Sequence, residues 1–445
     1  MQSPLSRRKT GRTTEGADVT IALAPAIDRC LWTEAAPPRP RPTIPVPTAT
    51  DVAIIGGGYT GLAASRALAS RGTDVTVLER HTLGWGASGR NGGFVLPGYK
   101  PEMEELDRRL GSERATRMFE LTLEAIRFLE TLVAEEGIAC DLVRCGAVTL
   151  AAKPGHVSAL EESGRFLRDR LGYETELLGP QEVGKEIGSK RYHGALLDPG
   201  GRALQPAKYV RGLALAAERA GAHLIEGAEV TKVRRVKDGF EVETRTGTVR
   251  AKEVLAATNG YTPAALSPLR RRVIPIGSYQ IATAPLEPEL ARRLVPRGRV
   301  FSDTKNLLYY FRLSPDGRMV FGGRASFTPT GTSRSAAILA AGMREVFPEL
   351  ADAKIEYAWS GKVAYPMDHL PHAGRLGGVH YAMGYCGHGV ALATYLGARM
   401  GDVLAGTGEI PDLGTDSFRA IPFYNGIPWF LPLVGGYYRA RDWLG

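Results

Sequence analysis

Apolar and polar positions follow two periods along this chain, and the switches between them mark its elements. Residues 52–55 form an uninterrupted, β-branched apolar run, the pattern of a strand buried on both faces. Residues 62–69, rich in Ala and Leu, read as helix, and 74–78 return to a strand pattern. Residues 102–136 place Met118, Leu121, Leu123, Ile126, Phe128, Leu129 and Leu132 at three- and four-residue spacing and predict one long helix. A strand follows at 147–151, a helix with a small-residue stripe at 206–220, and strands at 222–226 and 229–234. Residues 240–244 and 247–251 predict a hairpin around Arg245 and Thr246, and 254–260 a separate buried strand ending in a glycine turn at Gly260. Residues 271–286 and 307–323, rich in Tyr, Ile, Val and Phe and broken at 314–317, predict antiparallel strands of a second sheet. The last block, 380–389, runs from strand into a glycine turn and then a helix over 390–404.

The chemistry begins where the first strand meets the first helix. Gly56, Gly58 and Gly61 carry the G-x-G-x-x-G spacing: a tight turn, close backbone approach to a pyrophosphate, and close helix–strand packing. The helix N-terminus adds free N–H groups and the positive end of its dipole. Glu79 closes the second strand, where a carboxylate accepts ribose hydroxyls. Strand, glycines, helix, strand and acid in that order predict an ADP-containing cofactor. Elements of this type recur at the start, middle and end of the chain. The expected fold class is therefore α/β with an α+β insert. A Rossmann-type cofactor domain is assembled from 50–100, 195–270 and 355–410, and a mixed or antiparallel-sheet substrate domain comes from 101–194 and 271–354.

Composition changes this picture little. The 445 residues are 44% hydrophobic and 23% charged, ordinary for a globular protein, with a net charge of +9. Lys and Arg are spread along the chain without a nucleic-acid motif, so no nucleic-acid partner is expected. Cys30, Cys140, Cys145 and Cys386 form no metal-ligand spacing, so no metal is expected, and a reducing, cytoplasmic setting is the default. No apolar run reaches transmembrane length. Residues 1–49 read as an arm: six prolines in 37–47 keep that stretch extended, and 21–32 are expected to pack on the body through Leu31 and Trp32. The tail, 411–445, is apolar and aromatic between 421 and 435, with Arg439 and Arg441 beyond. Its four prolines oppose a regular amphipathic helix, which favours packing on the body or on a second copy over contact with a membrane surface. A homodimer stays open.

Gly56-Gly-Gly-Tyr-Thr-Gly-Leu62, Gly86-Ala-Ser-Gly-Arg-Asn-Gly-Gly93 and Tyr385-Cys-Gly-His-Gly389, in this order, resemble the flavin-dependent amine and amino-acid oxidoreductases of the D-amino-acid oxidase type. They are most similar to the γ-glutamylputrescine oxidase branch. Ser is more usual in that family where Cys386 stands here. The resemblance implies FAD, with Gly56, Gly58, Tyr59, Thr60 and Gly61 at the pyrophosphate and Glu79 and Arg80 at the adenosine ribose. It implies Ala87, Ser88, Asn91, Gly92 and Gly93 along the diphosphate and isoalloxazine, Val230 at the adenine, and Gly260 among the cofactor-binding turns. Gly387, His388, Gly389 and Val390 would approach the pyrimidine side, where a helix N-terminus stabilises the negative charge of reduced flavin. The sarcosine oxidases tether FAD to a Cys in the segment matching 359–368, which here holds none, so FAD is expected to be dissociable.

The activity so implied is oxidation of an amine or amino acid to an imine, with flavin reoxidised by oxygen or by a quinone-type acceptor. A D-amino-acid or N-methyl-amino-acid dehydrogenase, a tailoring enzyme acting on a ring amine, and a non-catalytic flavin-binding protein remain as alternatives. Candidate substrate residues are Arg90, as a carboxylate anchor or flavin polariser against a structural ion pair in its loop, and Arg312 or Arg324, as carboxylate anchors. Tyr279, Tyr309 and Tyr310 lie on the substrate sheet; alternation puts Tyr310 and Arg312 on one face and Tyr309 on the other. His388 is a candidate for proton handling or for a hydrogen bond to cofactor or structure. A Cys386/His388 nucleophile is disfavoured, because no orienting partner is identifiable.

Overall fold

The computed structural model describes residues 29–42, 44–323, 331–414 and 418–444. Arg324, and the part of 21–32 before Arg29, lie outside the described residues. Two eight-stranded sheets organise the chain. The first runs Val230–Val236, Gly239–Thr244, Thr248–Ala256, Ala49–Ile55, Val75–Leu78, His223–Ile225, with Val379–Met383 branching from Thr248–Ala256 and pairing with His372–Leu376. Ala49–Ile55 is parallel to both of its neighbours, Ile55 pairing with Ala256 on one side and Leu78 on the other. The expected hairpin strand and the expected buried strand are one element. Thr248–Ala256 pairs antiparallel with Gly239–Thr244 at its start and parallel with Val379–Met383 at Leu255 and Ala256. A strand with a half-exposed first part and a fully buried second part reads, in sequence, as two.

Helix Tyr59–Ala69 lies between the parallel strands and helix Gly389–Leu404. The contact is close because Gly397 and Gly401 face it: a Cβ on Gly397 would sit 2.3 Å from the Thr60 carbonyl oxygen. The predicted 102–136 helix is broken by Gly111 (φ +86°) into Met103–Leu110 and Ser112–Glu135. Met118, Phe119, Ile126 and Leu129 join the core of the first sheet together with Leu396 and Met400, so these helices do not belong with the second sheet, as the 101–194 boundary expected.

The second sheet runs Ile355–Tyr365, Ile274–Thr283, Met319–Gly323, Tyr309–Leu313, Val300–Asp303, Ala147–Leu150, Ala195–Asp198, Glu176–Leu178. Its pairs are antiparallel except Val300–Asp303 with Ala147–Leu150. Ala195–Asp198 and Ile355–Tyr365, expected in the cofactor domain, belong here. One face packs on helix Thr332–Val346 through Ile281, Phe311, Phe321 and Leu339; the other turns toward the first sheet.

The arm is seated rather than loose over its described part. Leu31–Ala35 is a short helix, and Trp32 is buried edge-on against Trp359. The tail forms a helix, Leu431–Leu444, contrary to expectation; Pro432 stands in its first turn, where a missing N–H costs nothing.

Candidate cofactor and active site

A cleft runs along the C-terminal ends of the parallel strands, where ligands settle in open α/β sheets. Its walls include Glu79, Arg80 and Val230 at one end, Gly56, Gly58 and Ser88 in the middle, and Gly387, Gly389 and Val390 at the other. Ile55 and Leu78 end side by side, so the chain must turn at Gly56 (φ +110°), where a Cβ would meet the Ala257 carbonyl at 2.9 Å. Gly58 caps helix Tyr59–Ala69, and a Cβ there would fill the gap to Ser88 Oγ, 2.8 Å away. Ser88 Oγ accepts from the Tyr59 N–H at 3.0 Å. A second helix, Gly389–Leu404, aims its own N-terminus at the same cleft without a side-chain cap. Two helix ends and a glycine turn that leaves no room for Cβ atoms fit a long, flat, pyrophosphate-bearing ligand.

Glu79 stands at the far end as expected. Its oxygens accept from the Gly57 and His81 N–H groups, each at 2.8 Å, which fixes the carboxylate and leaves lone pairs toward the cleft. Arg80 lies beside it, donating to His81. Val230 and Ala87 line the wall.

Asn91 lines the cleft and also shapes its loop, donating to the Ala87 and Ser88 carbonyls and to the Tyr59 hydroxyl and accepting from the Gly93 N–H. Gly260 is not on the wall: its neighbours Asn259 and Tyr261 are, while a Cβ on Gly260 would stand 3.0 Å from the Lys362 carbonyl oxygen. Gly92 faces the Tyr310 ring, and Gly93 (φ +73°) the Leu204 carbonyl and the Arg312 guanidinium.

The second sheet reaches the cleft loop through one contact zone. Trp359 Nε1 and Gln280 Nε2 both donate to the Arg90 carbonyl, at 2.9 and 2.7 Å. The Arg90 side chain donates to the Trp85 carbonyl and lies over its ring, and it forms no ion pair among the described residues. Tyr310 and Arg312 share the inward face. The Tyr310 hydroxyl is 2.9 Å from Ser278 Oγ. Tyr279 is a correction: it pairs with Gly323, which pairs with Tyr309, so register puts its ring on the opposite face, in the core beneath helix Thr332–Val346.

Arg312 is fully buried and donates to the Leu204 carbonyl at 2.7 Å; its guanidinium lies over Trp32 and its Nε has no hydrogen-bond partner. Burial pushes its pKa down to about 10. That arrangement does not present it as an anchor for a substrate carboxylate.

His388 precedes the second helix, its buried Nδ1 without a hydrogen-bond partner. Burial, with the Lys100 charge adding, lowers its pKa to about 4, so it is neutral at physiological pH. The sign follows: the unfolded chain takes up this proton below about pH 6.5 and the folded one only near 4. His388 therefore withdraws stability as pH falls across that window, by an upper bound of about 3 kcal/mol. Melting curves of wild type and His388→Asn should converge above pH 7, with the wild type losing more between pH 6.5 and 4; parallel curves would contradict this.

Sequence reading missed Trp85, Tyr261 and Lys362, which also line the cleft. Trp85 and Tyr261 meet edge-on at 5.8 Å, and the Lys362 ammonium sits over Tyr261. An aromatic in a glycine-rich loop was the available signal at Trp85; Tyr261 and Lys362 carry none.

Among the described residues no group of His, Cys, Asp and Glu is placed to hold a metal ion, and no helix is long and apolar enough to cross a membrane. None of the four cysteines is joined in a disulfide.

Comparison with known proteins agrees with this geometry. Residues 51–403 match the family described as FAD dependent oxidoreductase. The chain is 35% identical over 420 residues to a probable oxidoreductase OrdL of Rhizobium meliloti, covering 90% of this chain and 96% of that one. It is 32% identical over 404 residues to a γ-glutamylputrescine oxidoreductase of Escherichia coli, covering 89% and 93%. Among solved structures, glycine oxidase from Geobacillus kaustophilus superposes with a TM-score of 0.69 at 23% identity, over 85% of this chain and all of that one.

Proposed function

Because this chain belongs to the family of FAD-dependent oxidoreductases, we propose that it oxidises an amine or amino acid at the carbon beside nitrogen. The product is an imine that water hydrolyses, and oxygen takes up the electrons as hydrogen peroxide. FAD supplies the hydride acceptor. The protein's part is to hold the substrate against it, dry and unprotonated.

The observation that carries this reading is the inward face of the second sheet. Tyr310 stands with its ring against Gly92 and its hydroxyl bonded to Ser278. Register places Ile276 opposite Val363, and Ile274 opposite Tyr365, on the same sheet. Ile276 and Tyr365 belong to one apolar cluster with Cys386, beside the Gly387–Gly389 turn. Apolar walls of this kind favour a neutral amine over an ammonium ion, and the paired hydroxyls give its nitrogen a hydrogen-bond partner.

With Arg312 held by Leu204 and Trp32, we favour an amine whose reacting carbon bears no carboxylate, in line with the relative named γ-glutamylputrescine oxidoreductase. FAD is held without a covalent bond, since no cysteine lies in 359–368.

The test is an anaerobic visible spectrum of purified protein during titration with amines and amino acids. Yellow protein that bleaches with an amine, then recolours in air with stoichiometric peroxide, is the expected result. Bleaching without recovery in air would replace oxygen by another acceptor. A spectrum unmoved by any amine or amino acid would overturn the proposal.

A further inference from the structure

The tail adds Leu431 to the cluster of Ile276, Tyr365 and Cys386, but this activity makes no use of its outer side chains. Its inner residues are firmly seated: Ile421, Tyr424 and Leu431 are buried, the Ile421 N–H donates to the Arg271 carbonyl, and the Tyr424 hydroxyl to the Val273 carbonyl. Its outer residues are the opposite. Phe423 is 94% exposed, Leu433 74%, Trp429 65% and Ile427 60%. Four large apolar side chains exposed within residues 423–433 on an anchored base are unlike a fraying terminus, and such a concentration marks a contact surface.

Charge decides what this surface meets. The adjoining loop 262–273, on which the tail is seated, holds Arg270, Arg271 and Arg272 and no acid. Arg272 donates to the carbonyls of Phe418 and Pro268 and to no carboxylate among the described residues. Asp368, next to the tail, is already paired with His372, whose ring stacks on Phe418. A two-fold contact with a second copy would set these arginines against themselves. An anionic bilayer meets both requirements, taking the apolar side chains into its interface and the guanidinium groups at its phosphates.

We propose that this face docks the enzyme on an anionic phospholipid membrane, with Phe423, Ile427, Trp429 and Leu433 inserted and Arg270 and Arg271 at the headgroups. It lies flat on one leaflet, in accord with a tail interrupted by prolines and with no described helix long and apolar enough to span. The proposal stands apart from the substrate assignment.

The test is sedimentation of the full-length, FAD-loaded protein with phosphatidylcholine vesicles, with and without one third phosphatidylglycerol. The protein should pellet with the anionic vesicles alone and come off at high salt. Phe423→Ser/Trp429→Ser, at positions with little folded-state packing, should bind about tenfold more weakly with its flavin spectrum intact, and Arg271→Glu should weaken binding in the same direction. Wild type remaining in the supernatant would overturn the proposal, as would a serine variant that binds equally well. So would light scattering that finds a wild-type dimer turned monomer by the serine changes, which would give the surface to a second copy.

Discussion

Replacing Gly61 with alanine should yield protein that leaves purification without its yellow colour. A Cβ at that position would stand 2.0 Å from the Gly56 carbonyl oxygen and 3.2 Å from Ile54 Cγ2. The nearer obstacle is the backbone of the turn that forms the cleft floor, which no side-chain rotation can move. The helix must lift instead, and its first N–H groups leave the position where a pyrophosphate would meet them. A loss of at least about 100-fold in FAD affinity, about 2.7 kcal/mol, is expected, read by titrating apoprotein with FAD. Gly72→Ala is the matched control. Its φ of +78° costs stability, but nothing lies within 4 Å of the added atom, and FAD should bind as before. Full flavin content in the Gly61 variant would show that the helix is free to shift.

Trp32→Ala should be the most destabilising single change in the arm, by about 3–5 kcal/mol, seen as a lowered denaturation midpoint. The indole is 1% exposed, edge-on to Trp359 at 6.2 Å and beneath the Arg312 guanidinium at 4.8 Å. Its removal opens a cavity beside a buried cation that has no carboxylate partner. Trp32→Phe should cost much less, because the Trp32 Nε1 makes no hydrogen bond that the change would break. Equal losses for the two variants would mean that the site is sensitive to any change rather than to volume. Gln205 Nε2 donates to the Trp32 backbone carbonyl, so that bond survives both substitutions.

The cofactor half of the site was legible because its signals are local. Strand, glycine spacing, helix and Glu79 sit within one stretch of sequence, although Gly56 and Gly58 answer to Ala257 and Ser88 further along the chain. Leu31 and Trp32 were equally readable, as apolar residues worth burying. The substrate half depends on register between distant strands. Alternation separated Tyr310 and Arg312 from Tyr309, and the structure keeps that division, but only the pairing Tyr279–Gly323–Tyr309 reveals which face Tyr279 takes. Arg90 misled for a related reason. The loop position was right, yet its working atom is the carbonyl that receives Trp359 and Gln280, and a side-chain reading does not see it. The split of Thr248–Ala256 into two predicted strands arose because its partners change along its length.

That strand, and the turn at Gly387–Gly389, also govern how the protein can be made. Gly56 emerges early from the ribosome, but the strand flanking it on one side is not complete until Ala256, and the far wall of the cleft not until Val390. At about 5–20 residues per second, the nascent glycine turn waits roughly twenty seconds to a minute for its last partner. During that interval FAD has no finished site to stabilise, and the edge of Ala49–Ile55 is open to wrong pairing. The cofactor can reward folding only at its end, so cells short of flavin should accumulate complete but empty chains rather than arrested fragments.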